Sequence, residues 1–162
     1  MLHPTAALRA QFDMQTRLFA NVLSGISDAE ANIRNTDTTN NIKWVAGHLL
    51  HTRINSLSRT VGLPFDNGYA AAFDRGVALD VTATYPSLEE ILERWNSTAP
   101  AIGDALVALS EDTLAALSPS PAPIADPTLL GLLAFLLSHE SLHIGQLSIL
   151  RKMAGKEAMS FR

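Results

Sequence analysis

The sequence contains no cysteine. That removes a disulfide framework, a thiolate metal site and a cysteine nucleophile at once. Charge is scarce as well. Asp, Glu, Lys and Arg make up 17% of the residues, against roughly 25% in an average soluble domain. The net charge is −4 and there is no basic run, so the chain lacks the means to bind nucleic acid by neutralising phosphates. Long apolar runs are also missing. The longest covers residues 132–137, or 129–137 if Gly131 is counted, whereas a membrane span needs about 20 residues. Arg9, Asp13 and Arg17 interrupt the first twenty positions, so no signal-peptide core is read there. The expectation is a soluble, cytoplasmic protein without nucleic-acid or membrane partners. With 162 residues and 47% hydrophobic content, the chain is expected to be a single domain over 1–162 with a proper core.

Strand-type alternation is nowhere sustained, while four segments repeat apolar residues at helical spacing. The first spans about 4–23, with Pro4 suited to a first turn and a stripe of Leu8, Phe12, Phe19, Val22 and Leu23, extended by Ile26. The second spans about 41–60. Asn40 or Asn41 can cap it, Gly62 and Pro64 end it, and Ile42, Ala46, Leu49, Leu50, Ile54 and Leu57 share one side. The third opens at Ser87 with Glu90 three residues on, a capping-box pattern, and runs to about Leu109 through Ile91, Trp95, Ile102 and Leu106. Pro100 lies inside it and predicts a kink or short break. The fourth starts with Asp126 as cap and Pro127 as first residue, runs to Met153 and closes at Gly155. The predicted fold is all-α, a four-helix bundle.

The links are uneven. Ser27 and Glu30 form another capping box and predict a short helix. Residues 61–86 and 110–125 make long links between helices two and three and helices three and four. The first carries Phe65, Tyr69, Phe73 and Tyr85, read as anchors that pin the link to the bundle rather than as a pocket lid. The second carries Pro119, Pro121 and Pro123, which suit a surface loop.

Four of the five histidines fall in two clusters, and His3 sits apart near the start. His139 and His143 are four apart on the fourth helix, about 40° from each other on its circumference. Leu132, Phe135, Leu136, Leu142, Leu150 and Gln146 lie on or beside that face, so the pair is expected to interrupt a core-facing stripe. Buried polar groups without partners cost on the order of 1–3 kcal/mol each. Two imidazoles one turn apart can instead share a metal ion, provided their other nitrogens find acceptors. The second helix offers a third ligand, His48 on a line with Thr52 and Asn55, or His51 one turn on. Three imidazoles leave positions open for water or substrate. The competing reading is a set of hydrogen-bonded structural histidines.

Residues 139–143 also read H-E-x-x-H, the zinc-peptidase pattern, in which the glutamate would be the base. No third histidine follows at metzincin spacing. Glu157 is the sole downstream carboxylate, and no strand is present to align a peptide. The peptidase reading is therefore set aside.

The segments Trp44-Val-Ala-Gly-His48-Leu-Leu and Ser138-His-Glu-Ser-Leu-His143-Ile-Gly-Gln146-Leu resemble the DinB/YfiT-like superfamily, which is unrelated to the DNA polymerase sharing the first name. The Gly62-Leu-Pro64 link, the helix start Tyr85-Pro-Ser-Leu-Glu-Glu90 and the closing Leu150-Arg-Lys-Met-Ala-Gly155 fit as well. The resemblance implies an up-down-down-up four-helix bundle, usually dimeric. It implies a divalent metal, often nickel or zinc, held by His48, His139 and His143. It also implies a metal-dependent enzyme, because the better understood members are thiol-S-transferases and a maleylpyruvate isomerase that use low-molecular-weight thiols. The expectation is activation of water or such a thiol for attack on a small molecule, as in a transferase or hydrolase, with Glu140 and Gln146 as candidate pocket residues. The alternative is a metal-stabilised ligand-binding bundle without turnover.

Overall fold

The computed structural model of the protein describes residues 4–63, 65, 68, 70–74 and 76–161. Among these are seven α-helices and no strand. They are α1 (Pro4–Leu23), α2 (Asp28–Ala31), α3 (Ile42–Thr52), α4 (Ala70–Phe73), α5 (Leu88–Val107), α6 (Glu111–Ala115) and α7 (Leu129–Met153). A π-helical segment, Arg53–Ser58, continues α3. His3, Pro64 and Tyr69 lie outside the described residues.

The long elements pack cyclically. α1 lies on α5 and α7, and α3 closes the ring against the same two helices. Their apolar stripes meet inside. Phe12, Phe19, Val22, Leu49, Ile54, Ile91, Trp95, Leu106 and Leu133 are all buried. Phe19 stacks on Trp95 at 4.1 Å between ring centroids. Each such side chain contributes about 1.5–3 kcal/mol through its removal from water.

The ends of the helices follow local chemistry. Ser27 and Glu30 form the reciprocal capping box of α2. Ser87 accepts from the Glu90 amide at the start of α5. Asp28 then ties three elements together, taking Lys43 Nζ of α3 at 2.6 Å and the Leu88 amide of α5 at 2.9 Å. Gly62 stops the second long helical stretch with φ at 81°, a left-handed turn that glycine adopts without steric cost.

Asn41 caps α3. Its Oδ1 accepts from the Trp44 amide at 2.8 Å, and its Nδ2 donates to the Asn32 carbonyl at 3.2 Å. Because the residue is buried, Asn41→Ala is expected to cost about 1–2 kcal/mol. Urea unfolding checks this as a lower midpoint with an unchanged slope.

Two sequence expectations, the start of α7 and the place of Leu142, are corrected, and of the kink or short break read at Pro100 the break is absent. α7 starts at Leu129 with Thr128 as its cap, not at Pro127 behind Asp126. The Pro127 carbonyl is engaged by the Ser118 amide at 2.8 Å, and a bridge joins Leu117 to Thr128, so extended backbone runs up to the cap. Asp126 instead accepts from the Thr128 amide at 2.9 Å. α5 runs through Pro100 without a break. Pro100 and Asn96, whose carbonyl loses its helical donor, are both exposed to water. Leu142 does not face inward and is 63% exposed. The buried line of α7 is Leu129, Leu132, Leu133, Leu136, Glu140, Ile144, Leu147 and Leu150, with the histidines along its edge.

A candidate metal centre between the third and seventh helices

α3 and α7 carry His48, His139 and His143 to one place, all partly buried. One nitrogen from each lies within 4.8 Å of the other two. The Nε2 atoms of His48 and His139 are 3.3 Å apart. The His143 ring sits 4.9 Å from His48 and 4.4 Å from His139 between centroids.

The far nitrogens decide which lone pairs are available. His48 Nδ1 lies 2.9 Å from the Phe73 carbonyl oxygen. A carbonyl only accepts, so Nδ1 carries the proton and Nε2 presents its lone pair to the cluster. Gln146 Oε1 accepts from His143 Nδ1 at 2.6 Å, which does the same for that ring. His139 Nδ1 is buried without a hydrogen-bond partner. Trp44 stacks on His48 at 5.2 Å with the planes 4° apart and fixes the ring orientation.

Burial disfavours the charged forms of His139 and His143. Burial, and then the neighbouring His143 and His48, push His139 down to about 4. Burial also lowers His143, opposed by its bond to Gln146. Neutral imidazoles are the form that binds a metal. Tetrahedral sites with Zn–N bonds of about 2.0–2.1 Å separate their nitrogens by about 3.3–3.4 Å. The 3.3 Å between the two Nε2 atoms fits that spacing.

Beside the cluster lies a cavity of about 420 Å3. His48 and His139 form one wall, Thr52, Asn55, Ser56 and Asp74 a polar side, and Phe135, Leu136, Pro121 and Pro123 an apolar one. The polar line read on the second helix therefore does face a pocket. The proline-rich link contributes to it as well.

The other candidates are placed differently. His51 does not join the three. It is buried, and its Nε2 donates to Asp74 Oδ1 at 2.8 Å. Burial lowers its pKa while Asp74 opposes. Glu140 is committed elsewhere, with both carboxylate oxygens held by Arg53 at 2.9 and 2.7 Å. Gln146 is positioned by its bond to His143. The sequence reading missed Arg53, Asp74 and the role of the Phe73 carbonyl, although it had Phe73 as an anchor of the link. Arg53 had left a signal, a lone cation between Leu50 and Ile54 on an apolar stripe, matched by Glu140 between Leu136 and Ile144.

A family profile described as the DinB superfamily matches residues 11–147. The chain belongs to the DinB superfamily. Among solved structures, one titled "Crystal structure of the conserved protein of locus from Enterococcus faecalis" aligns with a TM-score of 0.74. The alignment covers 96% of this chain and 100% of that one at 15% identity, a likeness of fold alone. Comparison with curated proteins gave no match. Membership of the DinB superfamily and the three-histidine group together fit a metal-binding protein.

Proposed function

We propose that this DinB-superfamily protein is a metal-dependent enzyme whose His48, His139 and His143 hold one divalent ion, nickel or zinc. The convergence of three imidazoles beside a cavity of about 420 Å3 carries the reading. A structural ion needs no such cavity, so catalysis is preferred over a metal-stabilised bundle without turnover. An ion in this position supplies Lewis acidity that lowers the pKa of water or a thiol. Phe73 and Gln146 hold the His48 and His143 rings with one nitrogen each turned to the cluster. Phe135, Leu136, Pro121 and Pro123 receive the apolar part of a small substrate, and Thr52, Asn55 and Ser56 bond its polar part. Since the chain has no cysteine, any thiol used must arrive as a low-molecular-weight cosubstrate.

Titration of zinc or nickel into metal-free, tag-free protein is expected to give one ion per chain. His139→Ala and His143→Ala are each expected to weaken it by more than the roughly 10–100-fold typical of outer-shell changes. Undiminished binding by both variants overturns the proposal. Turnover of electrophilic substrates with a panel of thiols, and with water alone, then separates transferase from hydrolase chemistry.

A homodimer is part of this reading. Leu142, Ile149 and Met153 are 63, 64 and 53% exposed along one side of α7, an apolar line suited to a second copy. Leu142→Glu with Ile149→Glu is expected to halve the mass seen by light scattering. A wild-type monomer at tens of micromolar refutes the dimer.

A further inference from the structure

Gly47 precedes His48, and a Cβ added to it would overlap Cζ, Cε1 and Cε2 of the Phe73 ring. The tip of the ring thus meets the α3 backbone at Gly47, in a seat that only glycine leaves open. It is 1% exposed and is enclosed by Trp44 at 6.3 Å and Tyr85 at 5.4 Å, so it cannot swing aside to admit a methyl group. The same residue's carbonyl accepts from His48 Nδ1 at 2.9 Å. The next residue, Asp74, accepts from His51 Nε2 at 2.8 Å, one helical turn beyond His48. Three successive attachments therefore fasten one short segment along one face of α3.

We propose that Gly47, Phe73, Asp74 and His51 form a positioning clip that places the Phe73 carbonyl on His48 and so keeps the Nε2 of His48 turned toward His139 and His143. Gly47 is the seat, the Phe73 ring the anchor, and the Asp74–His51 bond the latch that fixes the peptide orientation between them. None of the four supplies a ligand atom. They act through the tautomer and orientation of His48, and outer-shell contacts of this kind change metal affinity by roughly 10–100-fold. The relevance to metal binding rests on the function proposed above, but the effect on the His48 tautomer does not.

Two readouts on Gly47→Ala and Asp74→Ala separate the questions. In metal-free protein, nitrogen-15 NMR of the imidazole rings is expected to show His48 as the Nδ1–H tautomer in wild type. Gly47→Ala is expected to shift it to a mixture with Nε2–H. In zinc titrations, Gly47→Ala is expected to lose about 10–100-fold in affinity and Asp74→Ala about 10-fold or less. Asp74 has a side chain 58% exposed, so its variant tests the clip even where Gly47→Ala fails to fold. A tautomer unchanged in every folded variant overturns the clip, whatever zinc does. If the tautomer shifts as expected but wild type binds no zinc, the clip stands and the metal proposal falls.

Discussion

Arg53→Ala is expected to destabilise the protein by about 3–5 kcal/mol, the range seen when one partner of a buried ion pair is removed. The side chains of Arg53 and Glu140 are 1% and 3% exposed, so Glu140 would be left buried without its partner. The guanidinium also stands 3.4 Å over the Trp95 ring and donates to Thr16 Oγ1 at 2.8 Å. One substitution therefore loosens α1, α5 and α7 from the end of α3. Urea unfolding of wild type, Arg53→Ala and the double variant Arg53→Met with Glu140→Leu decides the matter. The double variant is expected near wild type or above it, because two apolar groups of similar size leave no orphan charge. A cost below about 1 kcal/mol for Arg53→Ala would show that the pair does not hold α3 against α7.

That pair also explains where the sequence reading failed. Two histidines four residues apart must neighbour each other on any helix, so His139 and His143 were legible from spacing alone. Choosing His48 over His51 rested on family resemblance. The structure brings His48 to the pair and ties His51 to Asp74. The rotation of α7 was less legible. A stripe drawn through apolar residues alone puts Leu142 inside and Glu140 at the edge. The real core line passes through Glu140, since a carboxylate neutralised by an arginine on another helix can be buried. Such a partner is remote in sequence, 87 residues away here, and no local pattern marks it.

The same limit applies to the short elements. Ala70–Phe73 is one turn long, too brief to show a period, and its Phe73 ring meets a notch at Gly47 that no local pattern marks. The π-helical turn at Arg53–Ser58 leaves the apolar spacing of Ile54 and Leu57 intact, so hydrophobic periodicity cannot see it. The long helices were legible because each buries a stripe several turns long. The start of α7 was misread because the Pro127 carbonyl bonds to Ser118, a contact made across a loop.

The metal-free protein is expected to lose stability as pH falls from about 6.5 toward 4, and His139 is expected to carry much of the loss. Its folded pKa is lowered to about 4 by burial and by two neighbouring rings, while in the unfolded chain it titrates near 6.5. Between those values the unfolded chain holds a proton that the folded protein does not, so acid favours unfolding. The native state is undiminished by this ring above about 6.5 and loses the whole contribution once pH passes below 4. Solvent reaches part of the ring, which limits the effect to on the order of 1–3 kcal/mol. Urea midpoints of metal-free protein at pH 7.5, 6 and 5 read the slope, and His139→Asn is expected to flatten it. An unchanged slope in the variant would place the titrating groups elsewhere. Saturating zinc sharpens the test. Protons and the ion compete for the same imidazole lone pairs, so the stability added by zinc at pH 7.5 is expected to shrink steadily toward pH 5. A zinc effect that stays level across that range would assign the ion to carboxylates, which remain ionised there, and would remove the three histidines as its ligands.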